Sequence, residues 1–374
     1  MGGLAAQEQR VLHRSRRVAG ARGRTRRRAD RQQDHRHGRD LVGAALHREG
    51  IVAAAAAAQF RNLDARGVSR LDFSASHNAI AKAIAARREP YVDLTASNPT
   101  AVGLPLPDEQ LPRAPVYAPD PRGLPQAREA IGAYHGVAAD RVILTASTSE
   151  AYSWLFKLLC DPGDEVLVPQ PSYPLFDDLT ALESVRAMPY PLRWDGEWHL
   201  DSLPVTARTR AILVVNPGNP TGAYLKKDEF SRLAATGLPI ISDEVFADFP
   251  AFDDARRVRT LAGLPGTFAL SGLSKVAGLP QLKLGWIVAG PEQALHGLER
   301  IADTYLSVSS PVQLAASVLL EGRHIFQRAL NFRLAQNRST LQAARGPGSP
   351  WDVLRSEGGW SAILSVPRSR SEEE

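Results

Sequence analysis

An α/β fold on a mostly parallel sheet is the architecture this sequence predicts, and three observations carry it. Beyond Val142, short apolar runs alternate with helical stretches, as in repeated strand–helix units. Polar motifs follow these runs, and ligands in such folds gather at the carboxyl ends of strands. The chain has 374 residues, enough for one large domain or two medium ones with a sizeable core.

Residues 1–67 stand apart. "RSRRVAGARGRTRRRADRQQDHRHGRD" has no apolar period and cannot build a core. "IVAAAAAAQF" is low in complexity, although alanine tolerates a helix. A disordered basic tail, native or translated upstream of the true start, fits this texture. An organelle-type targeting peptide is opposed by Asp30, Asp34 and Asp40. A small DNA-binding head needs a periodic helix-turn-helix pattern, which is absent.

From Leu71 the texture changes. "NAIAKAIAARR" predicts an amphipathic helix, and "YVDLTASNPTAVGLP" a short strand running into a loop. "RVILTAS" predicts a strand and "TSEAYSWLFKLLC" a helix. "DEVLVPQPSYP" is strand and loop, "RAILVVNPGNPTG" a buried strand and turn, "LPIISDEVF" another strand, and "GTFALSGLSK" the last strand. Long helices follow Pro291, and "WDVLRSEGGWSAILSV" opens an α+β piece. The expected organisation is a tail over 1–67, an N-terminal segment over 71–102 and a large domain over 103–290. Connecting helices and the start of an incomplete α+β small domain occupy 291–374.

The net charge of +5 belongs to one end. Residues 1–70 hold 16 Arg, no Lys and 6 acidic residues, a balance of +10. Residues 71–374 hold 29 basic and 34 acidic residues, a balance of −5, so the main body lacks the electrostatic footprint of a nucleic-acid binder. No apolar run reaches the roughly 18 residues of a membrane span. Cys160 is the only cysteine, which excludes a disulfide framework or a cysteine-rich metal site and points to a reducing, cytoplasmic compartment.

Five strand ends carry candidate chemistry. In "TASTSEAY", Ser147, Thr148 and Ser149 open a helix, where free N–H groups bind phosphate or the hydroxyls simply cap the helix. In "QPSYP", Tyr173 sits in a rigid turn, as a plate for a planar ring or as a packed loop tyrosine. "NPGNPTG" is a constrained turn that aims the Asn219 amide back over the sheet end, or a loop without chemistry. In "SDEVF", Asp243 ends a buried strand and needs a cationic partner, either a protonated heterocycle or a structural ion pair. In "SGLSK", Lys275 is a solvated strand-end lysine or an amine held for covalent chemistry. Phosphate donors, plate, amide, carboxylate and amine together match one cofactor, pyridoxal 5′-phosphate.

The stretch from about Leu71 onward resembles the class I/II aminotransferases of pyridoxal-phosphate fold type I. Six motifs stand in the family's order: "YAPDPRGLPQAREAI", "TASTSEA", "PSYP", "NPGNPTG", "DEVF" and "SGLSK". The resemblance implies a three-layer α/β/α large domain, a small domain, and transfer of an amino group between an amino acid and a 2-oxo acid. It implies Lys275 as Schiff-base lysine and proton shuttle, Asp243 as partner of the pyridine nitrogen, and Tyr173 as the stacking residue, these three being catalytic. Asn219 would meet the phenolic oxygen. Ser147, Thr148, Ser149, Ser274 and Lys283 would bind phosphate, Asn98 would lie near substrate, and no metal is expected. Tyr117 would reach the phosphate of a neighbouring subunit, which implies a homodimer.

The chain departs from the family pattern at three points. Phe246 stands where many relatives carry a tyrosine on the phenolic oxygen. Lys283 replaces an arginine, keeping charge and losing the fork. The family's substrate-carboxylate arginine is expected beyond the last residue, so the chain reads as truncated. A lyase or decarboxylase of the same fold and an inactive cofactor-binding fragment stay open beside the aminotransferase. A DNA-binding regulator with an aminotransferase-like domain is a weaker alternative.

Overall fold

Burial on both faces explains why the strands read as nearly continuous apolar runs. The computed structural model describes residues 79–368, apart from 91, 93–97, 109 and 115. The basic stretch over 1–67 lies outside the described residues. Among those described, eight strands form one sheet. They are β1 (Val142–Thr145), β2 (Glu165–Gln170), β3 (Arg186–Trp194), β4 (Trp198–Leu200), β5 (Thr209–Val215), β6 (Ile240–Asp243), β7 (Thr267–Gly272) and β8 (Gly285–Ala289). Their spatial order is β1-β8-β7-β6-β5-β2-β3-β4. Strands β3, β2, β5, β6 and β7 run parallel. Strand β8 is antiparallel to both neighbours, and β4 is antiparallel to β3.

The helices are α1 (Ala79–Ala86), α2 (Pro125–His135), α3 (Thr148–Leu159), α4 (Phe176–Leu182), α5 (Lys227–Ala234), α6 (Leu273–Val276), α7 (Glu292–Tyr305) and α8 (Ser310–Ala344). Side chains alternate across the sheet. Ile143, Phe268, Leu270 and Ile287 face α3 and α7. Their sequence neighbours Leu144, Ala269, Trp286 and Val288 face α2 and α8. The result is the three-layer arrangement the sequence implied. Each fully buried Leu or Phe contributes about 1.5–3 kcal/mol to holding the layers together.

Local rules start and stop the helices that matter for the site. Ser147 caps α3, its hydroxyl accepting from Glu150 N at 3.2 Å. Helix α3 buries Ala151, Tyr152, Trp154, Leu155 and Phe156 against the sheet. Helix α2 opens on Pro125 and closes on Gly136, which takes the left-handed conformation at φ 69°.

The strand expected at the start of "YVDLTASNPTAVGLP" falls on residues of which 91 and 93–97 lie outside the described residues, and the loop after it begins with a 3-10 turn over Pro99–Ala101, where the Asn98 side chain accepts from Thr100 N at 3.0 Å. In the α+β piece "WDVLRSEGGWSAILSV", Leu364–Ser365 pairs antiparallel with Asp352–Val353. Between them Trp360 is drawn into an aromatic cluster with Phe246, Phe249 and Phe326.

Candidate active site

Loops at the ends of β1, β2, β5, β6 and β7 close around one cavity of about 240 Å³. Eight residues singled out from the sequence line it: Ser147, Thr148, Ser149, Tyr173, Asn219, Asp243, Ser274 and Lys275. Tyr152, Phe246, Trp360, Gly272 and Gly285 are also in the wall.

Lys275 sits in the single turn of α6, which starts directly from β7 with Gly272 as its cap. Its Nζ lies 5.1 Å from the centre of the Trp360 ring and 5.8 Å from that of Phe246. Burial pushes the ammonium below its ordinary range, and the Asp243 carboxylate partly offsets this. A lysine depressed in this way holds more neutral amine, the form that attacks carbonyls and accepts protons.

Asp243 ends β6 and is buried. Burial pushes its carboxyl up, while the Tyr152 hydroxyl, the Val245 N–H and Lys275 favour the charged form. Tyr152 donates to Oδ2 at 2.6 Å and Val245 N to Oδ1 at 3.1 Å. Each oxygen is thus pinned by one donor, and the carboxylate edge is fixed. Asp243 makes no ion pair, so a cationic heterocycle would supply the charge it lacks.

In the turn after β5 the two asparagines divide their work. Asn216 is buried and structural: its amide donates to Val258 O at 3.1 Å and its oxygen accepts from Leu225 N at 3.0 Å. Asn219 faces the cavity with no hydrogen bond from its side chain. At φ 68°, Gly222 needs the freedom of glycine, and a Cβ there would strike Ser356 and Gly358.

That contact belongs to a clamp. Glu357 is 2 % exposed and accepts from Lys226 Nζ and from Tyr224 N. Arg257 Nε lies 3.5 Å from the same carboxylate oxygen. The clamp fixes residues 356–359 against the turn and so places Trp360 beside Lys275.

Three anticipated residues are not brought into the cavity. Lys283 is exposed, in left-handed backbone at φ 51°, two residues before Gly285. Tyr117 is 75 % exposed beside a separate recess near Trp154. Asn98 spends its side chain on Thr100, accepting from N at 3.0 Å and from Oγ1 at 2.7 Å. Sequence reasoning missed Tyr152 and Trp360. Tyr152 lies four residues after Thr148, on the same helical face, and that spacing could have found it. No local signal marks Trp360.

Pyridoxal 5′-phosphate fits these residues. The first N–H groups of α3 have no intrahelical acceptor, and the hydroxyls of Thr148, Ser149 and Ser274 face the same space. A Cβ on Gly285 would lie 2.9 Å from the Ser147 carbonyl carbon and 3.0 Å from Thr145 Oγ1. Only glycine lets β8 approach this cradle so closely. Glu150, in the first turn of α3, accepts from Ala146 N at 2.6 Å and Ser307 Oγ at 2.7 Å.

Glu244, next to Asp243, is buried on the other side of the turn. Its carboxylate accepts from Ser242 Oγ at 2.9 Å, Leu261 N at 2.7 Å and Thr260 Oγ1 at 2.5 Å. Burial still lifts its carboxyl from 4.5 to about 7. The folded chain therefore keeps a proton that the unfolded chain releases, and stability falls as pH rises from 4.5 to about 7. Glu244→Gln, close in shape to the protonated acid, should remove that fall. Urea unfolding near neutral and at mildly acid pH would read a relative gain for the variant on the order of 1–3 kcal/mol at the higher pH. Parallel curves for both proteins would contradict the assignment.

Among the described residues, no helix is long and apolar enough to cross a membrane. The profile of the family "Aminotransferase class I and II" matches residues 114–368. The glutamate-pyruvate aminotransferase of Haemophilus influenzae is 32 % identical over 257 residues, covering 61 % of this chain and 63 % of the relative. The chain thus spans less than two thirds of that relative's length. The glutamate-pyruvate aminotransferase of Escherichia coli K12 is 31 % identical over 298 residues, 72 % of this chain and 71 % of its own. Among solved structures, the N-succinyldiaminopimelate aminotransferase of Mycobacterium tuberculosis superposes with a TM-score of 0.61 at 28 % identity, covering 78 % of this chain and 82 % of that one.

Proposed function

We propose that this chain, which belongs to the class I and II aminotransferase family, moves an amino group between an amino acid and a 2-oxo acid with pyridoxal 5′-phosphate. One observation carries the reading. Five separate strand ends deliver an amine, a pinned carboxylate, a free amide, an aromatic ring and a hydroxyl-rich helix start to one cavity. Single chance placements are common at strand ends, but their convergence is not.

In this reading Lys275 provides the amine that holds the cofactor covalently. Ser147, Thr148, Ser149 and Ser274 cradle the phosphate at the α3 N-terminus. Asn219 meets the phenolic oxygen, and Tyr173, set edge-on against Phe176 at 5.7 Å, covers the ring face. When bound, the cofactor supplies an electron sink for the substrate Cα. Asp243, locked by Tyr152 and Val245, keeps the proton on the ring nitrogen. Lys275, partly desolvated, takes and returns the proton at Cα. Phe246 offers no hydroxyl, so Asn219 is the remaining amide donor on that edge of the cavity.

Exposed Tyr117 suits a contact with a second copy of the chain, and light scattering of the purified chain tests that homodimer. The single cysteine supports the cytoplasm as its location. The reaction itself is tested by incubating the full chain and pyridoxal phosphate with L-alanine or L-glutamate and a 2-oxo acid acceptor. New amino acid formed in proportion to enzyme supports the proposal, and its absence across a broad donor panel contradicts it. A structural corollary concerns the cradle. Gly285→Ala should weaken cofactor binding about tenfold or more, because displacing the backbone of Ser147 costs about 1–3 kcal/mol. Unchanged affinity in a fluorescence titration would place the phosphate elsewhere.

A further inference from the structure

A second cavity, of about 320 Å³, lies beyond the turn that follows β6. Its charges are mixed and several are unspent. Asp254 is held by Arg256 at 2.8 Å, and Arg257 is committed to Glu357. Arg259 and Asp253 are exposed and make no ion pair or side-chain hydrogen bond. Arg323 has no carboxylate partner: it donates to Leu320 O at 2.5 Å and covers the Tyr134 ring at 5.0 Å. Asp248 accepts from Tyr134 Oη at 2.9 Å and Gln327 Nε2 at 2.6 Å, both on Oδ2, which leaves Oδ1 without a hydrogen bond.

We infer that this cavity is a second binding site, for a free amino acid with an acidic side chain. The unspent groups are two guanidiniums and two carboxylates. A pure dianion would meet Asp248 and Asp253, and a pure dication would meet Arg259 and Arg323. A ligand with two carboxylates and one ammonium pairs a carboxylate with each guanidinium and shares its ammonium between Asp248 and Asp253. Arginine's fork suits carboxylate recognition, and Asp248 Oδ1 is the free acceptor for an ammonium. The site also touches the Lys275 turn: the Gln327 amide that holds Asp248 donates to Val276 O at 2.9 Å.

The inference does not depend on the proposed reaction, and its test is built to be separate. L-glutamate is titrated calorimetrically into the full chain after pyridoxal phosphate and borohydride treatment, and in parallel into untreated chain without cofactor. Saturable binding is expected in both. Arg259→Gln and Asp253→Asn, at exposed positions, should each weaken it about tenfold or more with the melting temperature unchanged. Glutarate, which lacks the ammonium, should bind at least about tenfold more weakly than glutamate. No saturable heat, variants that bind as the parent does, or glutarate that binds as well as glutamate would each overturn the site.

Discussion

Lys275→Ala should lower amino transfer by about 10⁴-fold or more, since it would remove the proposed covalent anchor and proton carrier together. The loss should be confined to chemistry. Lys275 occupies a one-turn helix whose buried members are Leu273 and Val276, and its Nζ contributes only ring contacts beyond 5 Å to Phe246 and Trp360. The variant should therefore fold, melt close to the parent and still bind pyridoxal phosphate through the α3 cradle without a covalent link. A variant that keeps a tenth of the parent's rate would show that another residue moves the proton.

Asp243→Asn should cost turnover about 10²–10³-fold, the usual effect of removing one preorganised charge at a reacting centre. The neutral amide cannot hold a proton on the ring nitrogen. The cavity should keep its shape, because the amide oxygen can accept from Val245 N while its NH2 donates to the Tyr152 hydroxyl, which can turn to accept. Cofactor affinity should fall far less than rate. Equal and small changes in both would mean that Asp243 only holds the turn between β6 and Glu244.

Much of this site was legible in the sequence, and the reason is physical. Residues at strand ends sit in short, constrained turns, so proline, glycine and hydroxyl patterns in "TASTSEAY", "NPGNPTG" and "SGLSK" fix local geometry that survives into the fold. Contacts between distant segments leave no such mark. The carboxylate of Asp243 is held by a tyrosine 91 residues earlier. Trp360 reaches Lys275 only through the burial of Glu357 between Lys226 and Arg257, and no local pattern announces that clamp. Strand β3 was hidden by Pro189 and Pro191, yet it pairs with β2 through both positions. Glu244 read as the plain neighbour of Asp243. Only its burial in the fold lifts its carboxyl to about 7, against the opposing hydrogen bonds from Ser242, Thr260 and Leu261.

The proposed function requires that the amine of Lys275, among all the lysines of the chain, carry the cofactor. Mixing the full chain with pyridoxal phosphate, reducing with borohydride and mapping peptides by mass spectrometry tests it most directly. One pyridoxyl group is expected, on Lys275, formed with loss of the near-visible absorbance of the bound cofactor. A label on Lys283 or Lys157, or none at all, would contradict it.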